Sequence, residues 1–255
     1  MRRPLAVVFD MDGLMFNTEE VYWDVATELL ARRGLVFTQE LNAAIMGRPP
    51  KPCFETIIRW HNLNERWEDL AAESESLFLQ LVESRLAPMP GLFELLEALE
   101  AAGIPKAVCT SSRRRVLEKL LGVFDLEPRF AFTLTAEDVA EGKPHPEIYL
   151  RAAERFGIRP EEMMVLEDSP AGCAAGRAAG AFVIAVPNVN SKGMEFSCAH
   201  LVVPSLASPA IYEVLGLPYP ESLASGSRPG ESGPEVEDSS PNRSHKEQPA
   251  RQRSD

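Results

Sequence analysis

Two carboxylates one residue apart, Asp10 and Asp12, stand at the end of the apolar run Leu5-Ala6-Val7-Val8-Phe9 and lead into Gly13. If the run is a strand, residues i and i+2 point to the same side, so Asp10 and Asp12 share a face and Met11 turns back into the protein. Like charges that close are costly unless a cation lies between them, and magnesium, a hard ion that prefers oxygen, suits the pair. One carboxylate could then attack while its neighbour handles a proton. The same residues would also serve as an acidic turn, since Asp-Gly is a common turn signal.

Three other stretches place reactive side chains after apolar runs or in loops near them, where ligands bind in open parallel sheets. Ala107-Val108-Cys109 runs into Thr110-Ser111-Ser112, which offers a hydroxyl and consecutive backbone N–H groups to phosphate oxygens, or simply caps a helix. Gly142-Lys143-Pro144-His145-Pro146 presents one lysine in what reads as a rigid, extended loop. The glycine before it and the proline after it limit its conformations. Met163-Met164-Val165-Leu166 ends in the adjacent acids Glu167 and Asp168, with a small-residue helix predicted after Pro170. Helix capping does not account for both acids.

These side chains need a frame. The runs at 107–109, 163–166 and 182–186 each read as a strand buried on both faces. Helical patterns lie between them: Leu92, Leu95, Leu96 and Leu99, closed by Gly103 and Pro105, and a second from about Glu147 to Phe156. Strands alternating with helices imply an α/β fold built on a doubly wound parallel sheet. Residues 17–88 break that rhythm with long helical patterns and no buried strand, so they are expected to form a separate helical unit. Asn17 with Glu20 resembles a capping box, and Trp67, Leu70, Ala71, Ser74, Leu77 and Leu81 trace one packed face of a later helix. The turn at 13–17 and the breaker-rich segment 87–91 predict a two-stranded connection into and out of this unit. The expected division is a core of 1–16 and 89–217, the helical unit 17–88, and a disordered tail, 218–255, rich in Ser, Pro, Gly, Glu and Arg.

With 255 residues, 45% of them hydrophobic, the chain can bury a sizeable core. A net charge of -12 argues against a nucleic-acid partner and against adhesion to anionic membranes. The apolar run after Arg3 is too short for a secretory signal, and no stretch is long enough to span a bilayer, so a cytoplasmic protein is expected. Cys53, Cys109, Cys173 and Cys198 show no paired spacing, and the four histidines are scattered, so neither a disulfide framework nor a zinc site is indicated.

Taken in order, the strand followed by DxDG, the strand-end Thr, the Lys and the strand-end acid pair resemble the four motifs of the haloacid dehalogenase superfamily. The stretches FDMDGLMFNTE, GKPHPEIY and VLEDSPAGCAAGRAAG are especially similar to the subgroup containing beta-phosphoglucomutase, pseudouridine 5'-phosphatase and several sugar phosphatases. The resemblance covers Leu5 to about Leu217. It implies a Rossmann-like core with residues 17–88 as a small helical cap, acting as a monomer on a small phosphorylated metabolite. It further implies that Asp10 attacks phosphorus and that Asp12 is the general acid and base. Magnesium would be held by Asp10, the Asp12 carbonyl and Asp168, with Glu167 acting through water, while Thr110, Ser111 and Lys143 would hold the phosphoryl group.

Dehalogenases and phosphonate hydrolases of the superfamily lack the second aspartate, so Asp12 points to phosphate esters. Mutases of the subgroup carry a cap histidine shortly after the first motif, where this chain has Tyr22, and an arginine just after a glycine in the cap loop. Here that loop reads Gly47-Arg48-Pro49-Pro50-Lys51, with Arg48 directly after the glycine and proline where the mutase arginine is expected. Arg48 and Lys51 are candidates for gripping the rest of the substrate. The expectation is therefore a phosphatase. A beta-phosphoglucomutase-type mutase is the first alternative, and a catalytically weak, phosphate-binding regulator is the second.

Overall fold

The structure is a computed structural model that describes residues 3–224 apart from 47 and 49. In chain order its elements are β1 (Ala6–Phe9), α1 (Thr18–Ala31), α2 (Gln39–Ile45), α3 (Pro50–His61), α4 (Trp67–Arg85), α5 (Leu92–Ala101), β2 (Lys106–Cys109), α6 (Arg114–Val123), β3 (Phe132–Leu134), α7 (Glu147–Phe156), β4 (Met163–Glu167), α8 (Pro170–Ala179), β5 (Phe182–Ala185), β6 (Leu201–Val202), α9 (Pro209–Leu215) and α10 (Glu221–Ala224). The strands form one six-stranded sheet in the order β3-β2-β1-β4-β5-β6, every pairing parallel. This is the doubly wound α/β architecture. The chain runs outward from β1 in one direction to β2 and β3, then returns to β4 on the other side. The carboxyl ends of β1 and β4 therefore flank the crevice where such sheets bind ligands.

Alternation along the strands supplies two cores. Val7, Phe9, Val108, Met164, Leu166 and Ile184 face one side with the leucines of α5 and α6. Val8, Ala107, Cys109, Met163, Val165 and Val183 face the other, against Ile148, Tyr149 and Ala152 of α7 and the small residues of α8. The outer strands β3 and β6 escape the sequence pattern because they are three and two residues long and only partly buried.

Between β1 and α5 the chain makes four helices, with α1 and α3 packed on α4 and α2 on α3. The packed face of α4 consists of Leu70, Leu77, Phe78 and Val82. It is rotated from the expected one, since Trp67, Ala71, Ser74 and Leu81 are only partly covered. The connection is two-stranded as expected: Asn17 N–H donates to the Ala87 carbonyl (3.1 Å) and Met89 N–H to the Met15 carbonyl (2.8 Å). Asn17 does not build a capping box. Its side-chain oxygen accepts from Ala87 N–H (2.7 Å), and its amide donates to Glu20 (2.9 Å) and to the Arg85 carbonyl (3.3 Å), so it ties the two connecting segments together.

Order extends past the expected boundary at 217. The Tyr219 hydroxyl donates to the Ala207 carbonyl (2.9 Å), its ring packs edge-on against Tyr212, and α10 follows. An aromatic anchor outweighs the local Pro and Ser content there. Residues 225–255, the rest of the predicted tail, lie outside the described residues. Among those described, no helix is long and apolar enough to cross a membrane, and all four cysteines are free.

Candidate active site

Strand register brings the acids together. Phe9 lies opposite Leu166 on β4 and Val108 on β2, so the next residue on each strand sets Asp10 beside Glu167 and Cys109. Carboxylate oxygens of Asp10, Glu167 and Asp168 all lie within 4.8 Å of one another, and all three residues are buried.

One cation reaches into this cluster. Lys143 Nζ is 2.5 Å from Asp10 Oδ1 and 2.6 Å from Glu167 Oε1, and it donates to the Cys109 carbonyl at 3.0 Å. Its side chain is 6% exposed. The loop that delivers it is a tight turn rather than the extended segment expected, closed by His145 N–H donating to the Gly142 carbonyl (3.0 Å). The turn folds Lys143 inward, because its ammonium finds two carboxylates and a carbonyl there to replace water.

The remaining oxygens are fixed by specific donors. Glu167 Oε1 also accepts from the Tyr149 hydroxyl (2.6 Å), and Oε2 accepts from the Ser169 hydroxyl (2.9 Å) and backbone N–H (3.3 Å). Helix α8 can start this close to Glu167 only because residue 172 is glycine: a Cβ there would lie 1.8 Å from Glu167 Oε1. Asp168 Oδ2 accepts from Asn188 Nδ2 (2.7 Å), which also donates to the Gly13 carbonyl (3.3 Å). Gly13 has φ +78°, and a Cβ on it would come within 2.4 Å of both Asn188 Nδ2 and Asp168 Oδ2.

Asp12 is arranged differently. Its Oδ2 accepts from the Thr110 hydroxyl (2.9 Å) and the Ser112 hydroxyl (2.8 Å), while its Oδ1 is buried without a hydrogen-bond partner. Thr110 Oγ1 in turn accepts from Ser112 N–H at 2.9 Å. The carboxylate is thus held by one oxygen, and among the described residues the other has no partner.

Among the described residues, four carboxyl groups against one ammonium leave the site short of positive charge. Burial pushes the Asp10 carboxyl up to about 8; Lys143 opposes the rise, and the charges of Glu167 and Asp12 add to it. Burial, with Asp10, Glu167 and Glu19 beside it, pushes Asp168 up to about 10. Lys143 is held well above its ordinary value because the charges of Asp10 and Glu167 outweigh its burial. A buried oxygen cluster with excess negative charge fits a hard divalent cation.

The structure therefore gathers Asp10, Asp12, Thr110, Lys143, Glu167 and Asp168 at one crevice. Ser111 is exposed, and its neighbour Ser112 is the residue turned to Asp12. Arg48 donates to Thr56 (3.4 Å), and Lys51, 62% exposed, lies 4.0 Å from Glu55, so the described bonds of both stay within the helical unit. Sequence reading missed Ser112, Asn188, Tyr149 and Glu19. Asn188 had a usable signal, since it follows the buried run 182–186 just as Asp10 and Glu167 close theirs. Glu19, on the first turn of α1, bonds to Asn190 of the loop after β5; burial holds its carboxyl up, the Asn190 bond opposes this, and the Asp12 charge adds to it.

The chain is similar to known phosphatases and to solved structures of the same fold. The chain is 31% identical over 175 residues to a phosphorylated carbohydrates phosphatase of Thermotoga maritima, covering 69% of this chain and 81% of that protein. It is 30% identical over 213 residues to a bifunctional riboflavin kinase/FMN phosphatase of Arabidopsis thaliana; the match takes in 83% of this chain but only 56% of the plant protein. Its fold superimposes with a TM-score of 0.70 and 27% identity on the crystal structure of CbbY from Rhodobacter sphaeroides in complex with phosphate, covering 80% of this chain and 96% of that one. Residues 7–186 match the family model of the haloacid dehalogenase-like hydrolases, and the chain belongs to that family.

Proposed function

We propose that the chain is a magnesium-dependent phosphatase that hydrolyses a small phosphomonoester, a sugar phosphate or a related metabolite, through an aspartyl phosphate on Asp10. The observation that carries this reading is the unequal treatment of the two opening carboxylates. Asp10 sits against Lys143 at the centre of the acid cluster, whereas Asp12 is clamped by two hydroxyls with one oxygen left over. Phosphatase relatives and a phosphate-bound neighbour of the same fold support it.

In the first half-reaction an Asp10 oxygen attacks phosphorus, the bond from phosphorus to the ester oxygen breaks, and Asp12 delivers its proton to that oxygen. In the second, Asp12 takes a proton from a water molecule that attacks the phosphorus, so phosphate leaves and Asp10 is restored. Lys143 holds a phosphoryl oxygen and offsets the charge that would keep phosphate away from Asp10. Asp10, Asp168 and the Asp12 carbonyl would hold the magnesium ion, with Glu167 acting through water because donors already occupy both its oxygens. When bound, the ion would supply positive charge to keep the buried carboxyls ionised and to balance the phosphoryl group. The helical unit 17–88, on its two-stranded connection at 15–17 and 87–89, acts as the cap that closes over the site and excludes water.

A panel of sugar phosphates and nucleotides tests this, assayed with magnesium and after chelation, beside beta-glucose 1-phosphate with a bisphosphate activator. The expected result is phosphate release that falls at least ~100-fold on chelation, returns with magnesium, and is not accompanied by glucose 6-phosphate. Metal-independent release contradicts the reading. Formation of glucose 6-phosphate without net phosphate release would make the chain a mutase instead.

A further inference from the structure

The leaving group of a phosphate ester lies on the side of the acid that protonates it, so whatever the cap places beside Asp12 meets that group first. Helix α1 turns one flank to this crevice, since Glu19 reaches across it to Asn190. One turn further along the same flank is Tyr22. Its ring stacks on Phe78 of α4, with centroids 4.5 Å apart and planes inclined by 22°. Phe78 is buried, whereas Tyr22 remains 42% exposed. The pair is therefore anchored in the cap on one side and offers an aromatic face on the other. Partial burial, with the charges of Asp12 and Glu75 close by, holds the Tyr22 phenol above its ordinary range.

The charged groups around that face are mostly acidic. Glu19 is bonded to an amide, and Glu75 is 3.6 Å from Arg115 of α6. A second anionic group on the substrate would be repelled by Glu19 and Asp12, while a neutral group with hydroxyl or N–H donors would not.

We infer that Tyr22, backed by Phe78, determines specificity by stacking on a flat, uncharged ring carried by the leaving alcohol, so that the preferred substrates are monoesters of the nucleoside class rather than of free sugars or bisphosphates. This rests on the phosphatase reading of the same site. Aromatic stacking on a base is sequence-tolerant and strong enough to govern KM.

The test compares kcat/KM for uridine 5′-phosphate and glucose 6-phosphate in the wild-type chain, Tyr22→Phe and Tyr22→Ala. The wild-type chain should prefer the nucleotide. The nucleotide-to-sugar ratio should fall at least ~10-fold in Tyr22→Ala, chiefly through KM, and stay within about two-fold in Tyr22→Phe, which keeps the ring and serves as the folding control. An unchanged ratio in Tyr22→Ala, or equal losses on both esters, overturns the stacking role while leaving the phosphatase standing. Absence of phosphate release from every ester of the panel overturns the phosphatase reading, and the stacking role falls with it.

Discussion

Replacing Asp10 by asparagine is expected to lower phosphate release by at least ~10⁴-fold without unfolding the protein. An amide oxygen of nearly the same shape still accepts from Lys143, but it does not attack phosphorus. The stability side follows from the charges. A carboxyl whose folded pKa is raised favours the folded state when protonated and loses that contribution as pH rises through the folded value, about 8 for Asp10. At neutral pH part of the Asp10 population is already charged at a cost, since Glu167 and Asp168 lie within the same cluster. The neutral amide removes that cost. Metal-free Asp10→Asn should therefore melt no lower than the wild-type chain at pH 7, and its catalytic loss is then read as chemistry. A variant that keeps more than about a tenth of the activity would remove Asp10 from the nucleophile's role.

Asp12→Ala carries the second large effect, and its signature is selectivity. General acid catalysis contributes about 10²–10⁴-fold where the leaving oxygen needs a proton, and little where the leaving group is already stable as an anion. Hydrolysis of alkyl phosphates should fall by that range, and hydrolysis of an activated aryl phosphate by less than about ten-fold. Truncation also leaves the Thr110 and Ser112 hydroxyls without their shared acceptor, so Asp12→Asn is the companion variant. It preserves those two bonds and still has no proton of suitable acidity to give. Identical losses on both ester types would place the acid elsewhere.

Much of this site is legible in the sequence because it is built from strand ends. An apolar run that stops at an acid or a threonine states both the element and the position of the side chain, as at Asp10, Thr110 and Glu167. What escapes is whatever depends on how a loop turns. After Cys109 nothing in the sequence says that Ser112 rather than Ser111 faces Asp12, because the segment has no period once the strand ends. Lys143 is legible as a lone lysine between Gly and Pro, yet the near-complete burial of its side chain comes from the turn that carries it. Tyr149 reads as one more apolar position of an amphipathic helix, and its bond to Glu167 appears only when α7 packs against β2 and α8. Short edge strands, the rotation of α4 and the anchoring of Tyr219 are likewise settled by packing across the chain, which local pattern does not encode.

The central claim is that Asp10 carries the phosphoryl group. It is tested most directly by mixing the magnesium-loaded chain with a radiolabelled ester, quenching in acid within the first turnover, and locating the label by peptide mass spectrometry. The label should appear on the peptide containing Asp10, at up to one equivalent per chain, and should be absent from Asp10→Asn. Phosphate release at the normal rate with no label on that peptide, or with the label on another residue, would contradict it.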